Sequence, residues 1–543
     1  MAVTQTHTPT LEFGDPWDPL HAPGGPDEHW STDNVGEAAP GVLTPLGWSV
    51  WGEVGDHMVK QIAYGLGVFN RAERDSDHRY VRIFYGRAAL QVEYLATVGD
   101  RMPGTTGEEA VASLFGRPPE DMAWHPSRRR YPVIAAKLPL VFARAGSLIT
   151  ALAADTDAWW RAQVARLGEL DQREAATLFL EATARFDRAI AVQSICLLGS
   201  IQPLYDALAR LIERTGVGDI AVLSGSGGAE MAIVADIWRA SRGELTVHEL
   251  VASHGFHGPR EGELSARVWR EDHAPLERVI AEYAAQDESH SPLARDAHNR
   301  AARTQMQREL LAAVPSARRP ATRMLLSLAA KRIPLRGFAK RAFLQSLDIC
   351  RGSARRAGTL LTAEGALDER DDIFYLTSAE WTGGRLPADV KELVARRRER
   401  RAEYEQLRIQ SNWKGTPTTV RVQPGAAAAD RELTTVSGLG VSAGVVEGTV
   451  RVVTDPAFAD VEPGDVLVSS TTDPSWSSIM FISSALVVDI GGPLSHAAVV
   501  ARELGVPCVV NTRDGTERLR TGDRVRVDGG TGTVEILERA SAG

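Results

Sequence analysis

A change of texture near Val436 constrains this chain more than any other feature. From about residue 50 to residue 410 the apolar residues recur at three- and four-residue spacing, as in 158–189, 200–214, 275–286 and 299–313, which is the period of amphipathic helices. Segment 386–410 has the same period with far more charge, and it predicts a helix exposed along much of its length. After Val436 the helical period gives way to short runs separated by Gly-containing turns: VVEGTVRVV, DVLVSS, ALVVDI, CVVNT, RVRVDG and TVEIL. Such runs read as strands. The 543 residues are too many for one core. The expected fold is therefore multidomain, with a mainly α-helical N-terminal part and a C-terminal α/β domain. Four segments are predicted: an irregular arm over 1–42, a helical substrate domain over 43–410, a flexible linker over 411–435 marked by its Pro-Gly-Ala composition, and the α/β domain over 436–540.

Several function classes are excluded. The net charge of −9 offers no general attraction to nucleic acid or to an anionic membrane. Three widely spaced cysteines, Cys196, Cys350 and Cys508, form neither a disulfide framework nor a cysteine metal site, and they fit a reducing compartment. The N-terminus has no basic segment followed by an apolar run, so no signal peptide is expected. Apolar stretches such as 189–204 and 479–490 are too short or too interrupted to span a bilayer. A soluble cytoplasmic protein that binds no metal is the expectation.

The stretch Asp489-Ile-Gly-Gly-Pro-Leu-Ser-His-Ala-Ala-Val-Val-Ala-Arg-Glu-Leu-Gly-Val-Pro carries the chemistry. A strand ending at Ile490 leads through Gly491 and Gly492 into a helix over 496–504. Ser495 is the predicted N-cap and His496 the first helical residue. A helix N-terminus presents free amide hydrogens and a positive dipole end, which suits a phosphoryl group. A neutral imidazole can take such a group and release it, splitting one transfer into two easier steps. A lone histidine is more often a cap or a core residue.

The whole stretch, however, resembles the signature GG-x-x-SH-x-A-(I/V)-x-AR-E-x-G-(I/V)-P of the phosphoenolpyruvate-utilising enzymes, among them phosphoenolpyruvate synthase, pyruvate phosphate dikinase and rifampicin phosphotransferase. Gly491, Gly492, Ser495, His496, Ala498, Ala501, Arg502, Glu503, Gly505 and Pro507 all fit it. The resemblance implies a swivelling domain whose catalytic His496 carries a phosphoryl group, supported by Gly491, Gly492, Ser495 and Arg502. Weaker likenesses to the helical domain of rifampicin phosphotransferase lie at 33–49, 255–272, 334–358 and 371–381.

The loop 253–272 gathers His254, His257, Arg260, Glu261, Glu263 and Arg267 among Gly and Pro. A cation there could hold a transferring phosphoryl group, and a His or carboxylate could take a proton from an acceptor hydroxyl. The expected acceptor site is His257, Arg260, Glu261, Glu263 and Arg267, with Arg336 and Lys340 as further cations. His257 stands where the resembling family has Arg, and Gly337 where it tends to have Glu, so its phosphate clamp is either altered or moved to Arg260. The basic segment 318–356 reads either as solvated helix faces or as an anion-binding surface. The Gly-rich 223–232 lacks the Lys of a phosphate-binding loop and reads as a helix-start turn.

No part of the chain resembles the ATP-grasp module or the (β/α)₈ barrel of these enzymes. The resemblance thus implies a split dikinase-type phosphotransferase, divided as in phenylphosphate synthase. ATP and Mg2+ would be bound by a separate ATP-grasp protein, and the acceptor would be a small hydroxylated molecule. Two other readings stay open: a non-catalytic binding or regulatory homologue, and an ATP-independent enzyme using His496 as an acid/base group.

Overall fold

In a computed structural model of the chain the described residues are 17–32, 35–39, 41–115, 118–217, 229–288, 291–421, 435–453, 461–462, 464–472, 476–492 and 495–540. The helical part is built on the helices Pro45–Leu66, Gln172–Cys196 and Leu335–Ala363, with Tyr131–Arg166 alongside. Two of them begin at side-chain caps. Thr44 caps Pro45–Leu66, its side chain accepting from the Gly47 amide at 3.1 Å, with Pro at the first helical position. Asp171 and Glu174 form a reciprocal capping box that opens Gln172–Cys196. This cap also breaks the apolar period of 158–189 into two helices, joined by a short turn at Leu167–Glu169. Ala175, Leu178, Phe179, Ala182, Phe186 and Ala189 then line the buried face, the stripe expected of a helix packed on others.

Two sequence expectations need correction. The arm is not irregular where it is described: His29–Ser31 is a strand in a four-stranded sheet whose order is Val81–Phe84, Arg87–Gln91, His29–Ser31, Asn412–Lys414. Trp30 is fully buried there, 5.2 Å from the Phe84 ring, which in turn meets Trp413 at 5.1 Å. The first part of the expected linker is therefore structure: Asn412–Lys414 closes that sheet, and Thr419–Arg421 pairs with Leu407–Ile409. Strands of three residues are too short to show a period, so Trp30 and Trp413 were the readable signal. The Ala run at 426–429 and most of 223–232 lie outside the described residues. The charged helix, Val390–Glu405, is exposed along much of its length as expected, with Val390, Leu393, Val394, Arg397 and Tyr404 on its buried side. Arg397 is held there by both oxygens of Glu380, at 2.7 and 2.9 Å.

Two helical stretches, Tyr131–Glu169 and Gln172–Thr215, are long and apolar enough by length and composition to cross a membrane, which the sequence reading of 189–204 did not anticipate. Their charges argue for water. Arg185 pairs with Asp155, and His57 with Asp187, and such residues are rare in membrane-spanning helices.

The C-terminal domain is an eight-stranded sheet, in the order Thr435–Ser437, Thr533–Glu538, Arg524–Asp528, Val445–Val452, Val466–Ser469, Ala485–Val488, Cys508–Val510, Leu439–Ser442. Its central strands, Val445–Val452, Val466–Ser469, Ala485–Val488 and Cys508–Val510, run parallel, and both faces are apolar. Val466, Val468, Val487 and Val509 turn into the domain's own core. Leu467, Leu486, Val488, Cys508 and Val510 turn to the other face and join a cluster that also contains Ile233, Trp238, Leu250 and Trp269 of the helical part. One continuous apolar core thus spans the two domains.

Candidate active site

The helix His496–Leu504 begins and ends where the sequence placed it. Ser495 is extended (φ −65°, ψ 164°) and its hydroxyl accepts from the Ala498 amide; Gly505 closes the helix in the left-handed region at φ 67°. Upstream, Asp489 anchors the end of the strand. Its buried carboxylate accepts from Thr512 Oγ1 at 2.7 Å and from the amide and hydroxyl of Thr516. A Cβ on Gly491 would stand 3.0 Å from Ser495 Oγ, so glycine there leaves the cap its room.

His496 is 2% exposed, because the first turn of its helix docks on the helical part. Ala497, Ala498, Val500 and Ala501 lie in the apolar cluster shared with Trp269 and Leu250. Trp269 in turn stands 5.8 Å, ring to ring, from His257. The site is an interface between the two domains. At the other end of the same helix, Arg502 donates to Val441 O at 2.7 Å and to Tyr205 Oη at 3.3 Å. Six residues, or about 9 Å of helix axis, separate it from His496. Through these bonds Arg502 ties the two domains together.

The loop 254–267 is packed, not solvated. Thr246 and Glu249 form the capping box of the helix Val247–His254 that leads into it. The Trp269 amide donates to His257 O at 2.7 Å and the Arg270 amide to Gly255 O at 2.9 Å, and a Cβ on Gly258 would strike Arg267 O at 2.8 Å. Trp51 Nε1 donates to Gly262 O at 2.7 Å. Arg351 donates to the carbonyls of Glu261 and Glu263 at 2.9 and 3.1 Å.

These ties separate the candidate residues. His257 is buried and its Nδ1 lies 2.7 Å from Glu261 Oε2. Lys340 Nζ stands 3.3 Å from Glu261 Oε1. Burial pushes the Glu261 carboxyl up, but Lys340, His257 and His496 outweigh it and bring it down to about 2. His496 is thus within electrostatic reach of this carboxylate. Arg336 lies one helical turn before Lys340, half-buried. Glu263 belongs elsewhere: its carboxylate accepts from Thr44 Oγ1 at 2.7 Å, the Thr44 amide at 3.2 Å and the Ser265 amide at 3.0 Å. It pins the loop to the start of Pro45–Leu66 and is structural. Arg260 and Arg267 are exposed, Arg260 with a left-handed φ of 54°. Neither stands in the buried place of His257. The basic segment divides likewise: Arg351 and Arg355 are buried structural residues, while Lys340 pairs with Glu261 and Arg336 stands one helical turn before it.

A charged layer behind the loop escaped the sequence reading. Arg270 grips both oxygens of the fully buried Asp348, Nε to Oδ2 at 2.9 Å and Nη2 to Oδ1 at 2.8 Å, and Trp160 Nε1 donates to Oδ2 at 2.8 Å. Arg355 pairs with Glu271 and donates to Ser265 O. The available signal was Asp348, Arg351 and Arg355 at helical spacing among Leu344, Leu347, Cys350 and Ala354. His254 is buried too, but its Nε2 is 2.9 Å from Asp236, which ties two helices together.

Comparison with known proteins decides what this interface belongs to. Residues 461–532 match the mobile domain of PEP-utilising enzymes. The chain carries that mobile domain. Residues 243–337 match the fourth domain of rifampicin phosphotransferase, so the loop 254–267 and Arg336 lie in the second matched domain and His496 in the first. An uncharacterized protein of Mycobacterium tuberculosis is 30% identical over 94% of this chain and 61% of its own length. An uncharacterized phosphotransferase of Bacillus subtilis is 36% identical over 34% of this chain and 23% of its own length. The rifampicin phosphotransferase of Streptomyces sviceus is 39% identical over 33% of this chain and 20% of its own length. The chain spans about three-fifths of the length of the first of these.

Proposed function

We propose that this chain is the phosphocarrier and acceptor-binding component of a dikinase-type phosphotransferase. In this reading His496 of the mobile domain accepts a phosphoryl group from an ATP-grasp protein that holds ATP and Mg2+, then docks on the helical part and passes the group to a small hydroxylated organic acceptor. The observation that supports this reading is that the helix opening at the buried His496 packs, through Ala497 and Ala498, in the same apolar cluster as Trp269, beside the loop that bears His257 and Glu261. The helix start and Ser495 provide amides and a cap for the phosphoryl oxygens. Lys340 and Arg336 supply positive charge where charge develops. His257, oriented through Nδ1 by Glu261, keeps Nε2 for the acceptor's proton.

The test is to incubate the purified chain in an extract of its source organism with ATP carrying 32P at the β position. Acid-labile, alkali-stable label that maps to His496 and is lost in His496→Ala is the expected result. Label that persists in the variant, or no label at all, would falsify the carrier role.

A further inference from the structure

The helix His496–Leu504 meets the helical part at both ends, through Ala497 and Ala498 near its start and through Arg502 and Tyr205 near its finish. Two contacts on one helix fix a line. They leave a rigid domain able to roll about that line, and rolling is the motion that would turn His496 away from the loop 254–267. A third contact lies on other elements. The Arg408 guanidinium stands 2.8 Å from Glu517 Oε1. Arg408 belongs to the strand Leu407–Ile409 of the helical part, and Glu517 to the short helix Gly515–Arg518 of the mobile domain.

Both partners are held from behind. On the helical side, Arg87 donates to the carbonyls of Tyr404 and Leu407 at 3.2 and 2.6 Å, and Arg408 itself pairs in register with Val420. On the mobile side, the residue before Glu517 reaches the segment that leads to His496. The Thr516 amide donates to Asp489 Oδ1 at 3.2 Å, and Thr512 Oγ1 donates to the same oxygen at 2.7 Å. Asp489 follows the strand Ala485–Val488 and opens the Gly491-Gly492 turn. Partial burial pushes the Glu517 carboxyl up, joined by Asp514 and Asp489, and Arg408 is the foremost charge that opposes them.

We propose that Arg408 and Glu517 are a positioning pair, whose ion pair stops the docked mobile domain from rolling about the helix His496–Leu504 and so keeps His496 beside the loop 254–267. The inference rests on His496 being the carrier and names what aims it. The two side chains are 54% and 37% exposed, and pairs of that kind contribute little to stability. A small contribution suits a contact that a carrier domain makes and breaks at every transfer.

Phosphoramidate, a small donor that phosphorylates imidazole with loss of ammonia, allows a test without the ATP-grasp partner. His496 is 2% exposed when docked, so the rate at which the full chain is loaded follows the population in which the mobile domain has moved. Arg408→Ala and Glu517→Gln should each load roughly two- to fivefold faster than the native chain. The charge-swapped chain, Arg408→Glu with Glu517→Arg, should load at the native rate, a rescue that mere loosening of the fold would not give. Hydrogen–deuterium exchange over 496–504 should rise and return in the same order. Arg526→Ala, which breaks an exposed pair with Glu447 inside the mobile domain, should change neither. Native rates and native exchange in both single variants overturn the inference while leaving the carrier role intact. So does a swapped chain as fast as the single variants, or an equal rise in Arg526→Ala. If no chain takes the phosphoryl group on His496, the carrier role falls, and the exchange alone decides whether the pair holds the domain.

Discussion

At the scale of single residues, the buried state of His496 changes what its replacement should do. Sequence alone placed it at a surface helix start, and the first turn does start a helix, but docking covers the ring. His496→Asn, close in shape and still polar, should abolish phosphoryl transfer and change unfolding stability by no more than about 1 kcal/mol. Loss of transfer together with a much larger drop in a urea titration would mean that the ring is structural. Asp348 should behave in the opposite way. It is fully buried and answers Arg270, Arg351 and Trp160. Asp348→Asn therefore leaves cations without their counter-charge and should cost about 3–5 kcal/mol, read from the same titration. A cost below about 1 kcal/mol would show that the charged layer does not hold the loop. His496 was legible because ten motif positions agree around it. Asp348 was not, because a buried ion pair and a solvated charge look alike until the facing helices are known.

Among elements, the helix His496–Leu504 has two jobs, one at each end. Its first turn delivers His496, and its last turn ties the mobile domain to the helical part through Arg502 and Tyr205. Tyr205→Phe removes that cross-domain hydrogen bond and keeps the packing. It should weaken docking by about 1 kcal/mol and so raise the undocked population roughly fivefold. Small-angle scattering of the intact variant should show a larger radius of gyration than the native chain. An unchanged radius would mean that the apolar core shared with Trp269 and Leu250 holds the domains by itself. This tie could not be read from the residues alone, since Arg502 sits inside the signature stretch and reads there as part of the phosphate site. The helix boundary set by the Ser495 cap was legible, whereas those at Asp171 and Thr246 were not read from the sequence. The three-residue strands at His29–Ser31 and Asn412–Lys414 were not, because their partners are hundreds of residues apart in the chain.

For the whole molecule, two buried groups contribute to the acid response. Burial pushes the His254 imidazole down to about 4 from 6.5, against the pull of Asp236. The folded state therefore binds this proton less readily than the unfolded chain, and stability is lost as pH falls from about 6.5 toward about 4. The difference is worth about 3 kcal/mol. Glu261, held down to about 2, adds a second loss between about 4.5 and about 2. Urea titrations at stepped pH should show stability falling from near pH 6.5, and His254→Gln should remove that upper phase. If the variant keeps the upper phase, the acid response lies elsewhere.

The division into a helical part and a C-terminal α/β domain was visible in the change of period near Val436; that their cores merge was not, because both faces of a buried parallel sheet read alike in sequence. The central claim, that His496 carries phosphate, is most directly tested by mapping the phosphorylated residue in the intact chain. After phosphoramidate treatment, mass spectrometry under neutral conditions should find one phosphoryl group, on His496, which acid removes and which is missing from His496→Asn. A phosphoryl group on another histidine, or none on a folded chain, would contradict the account.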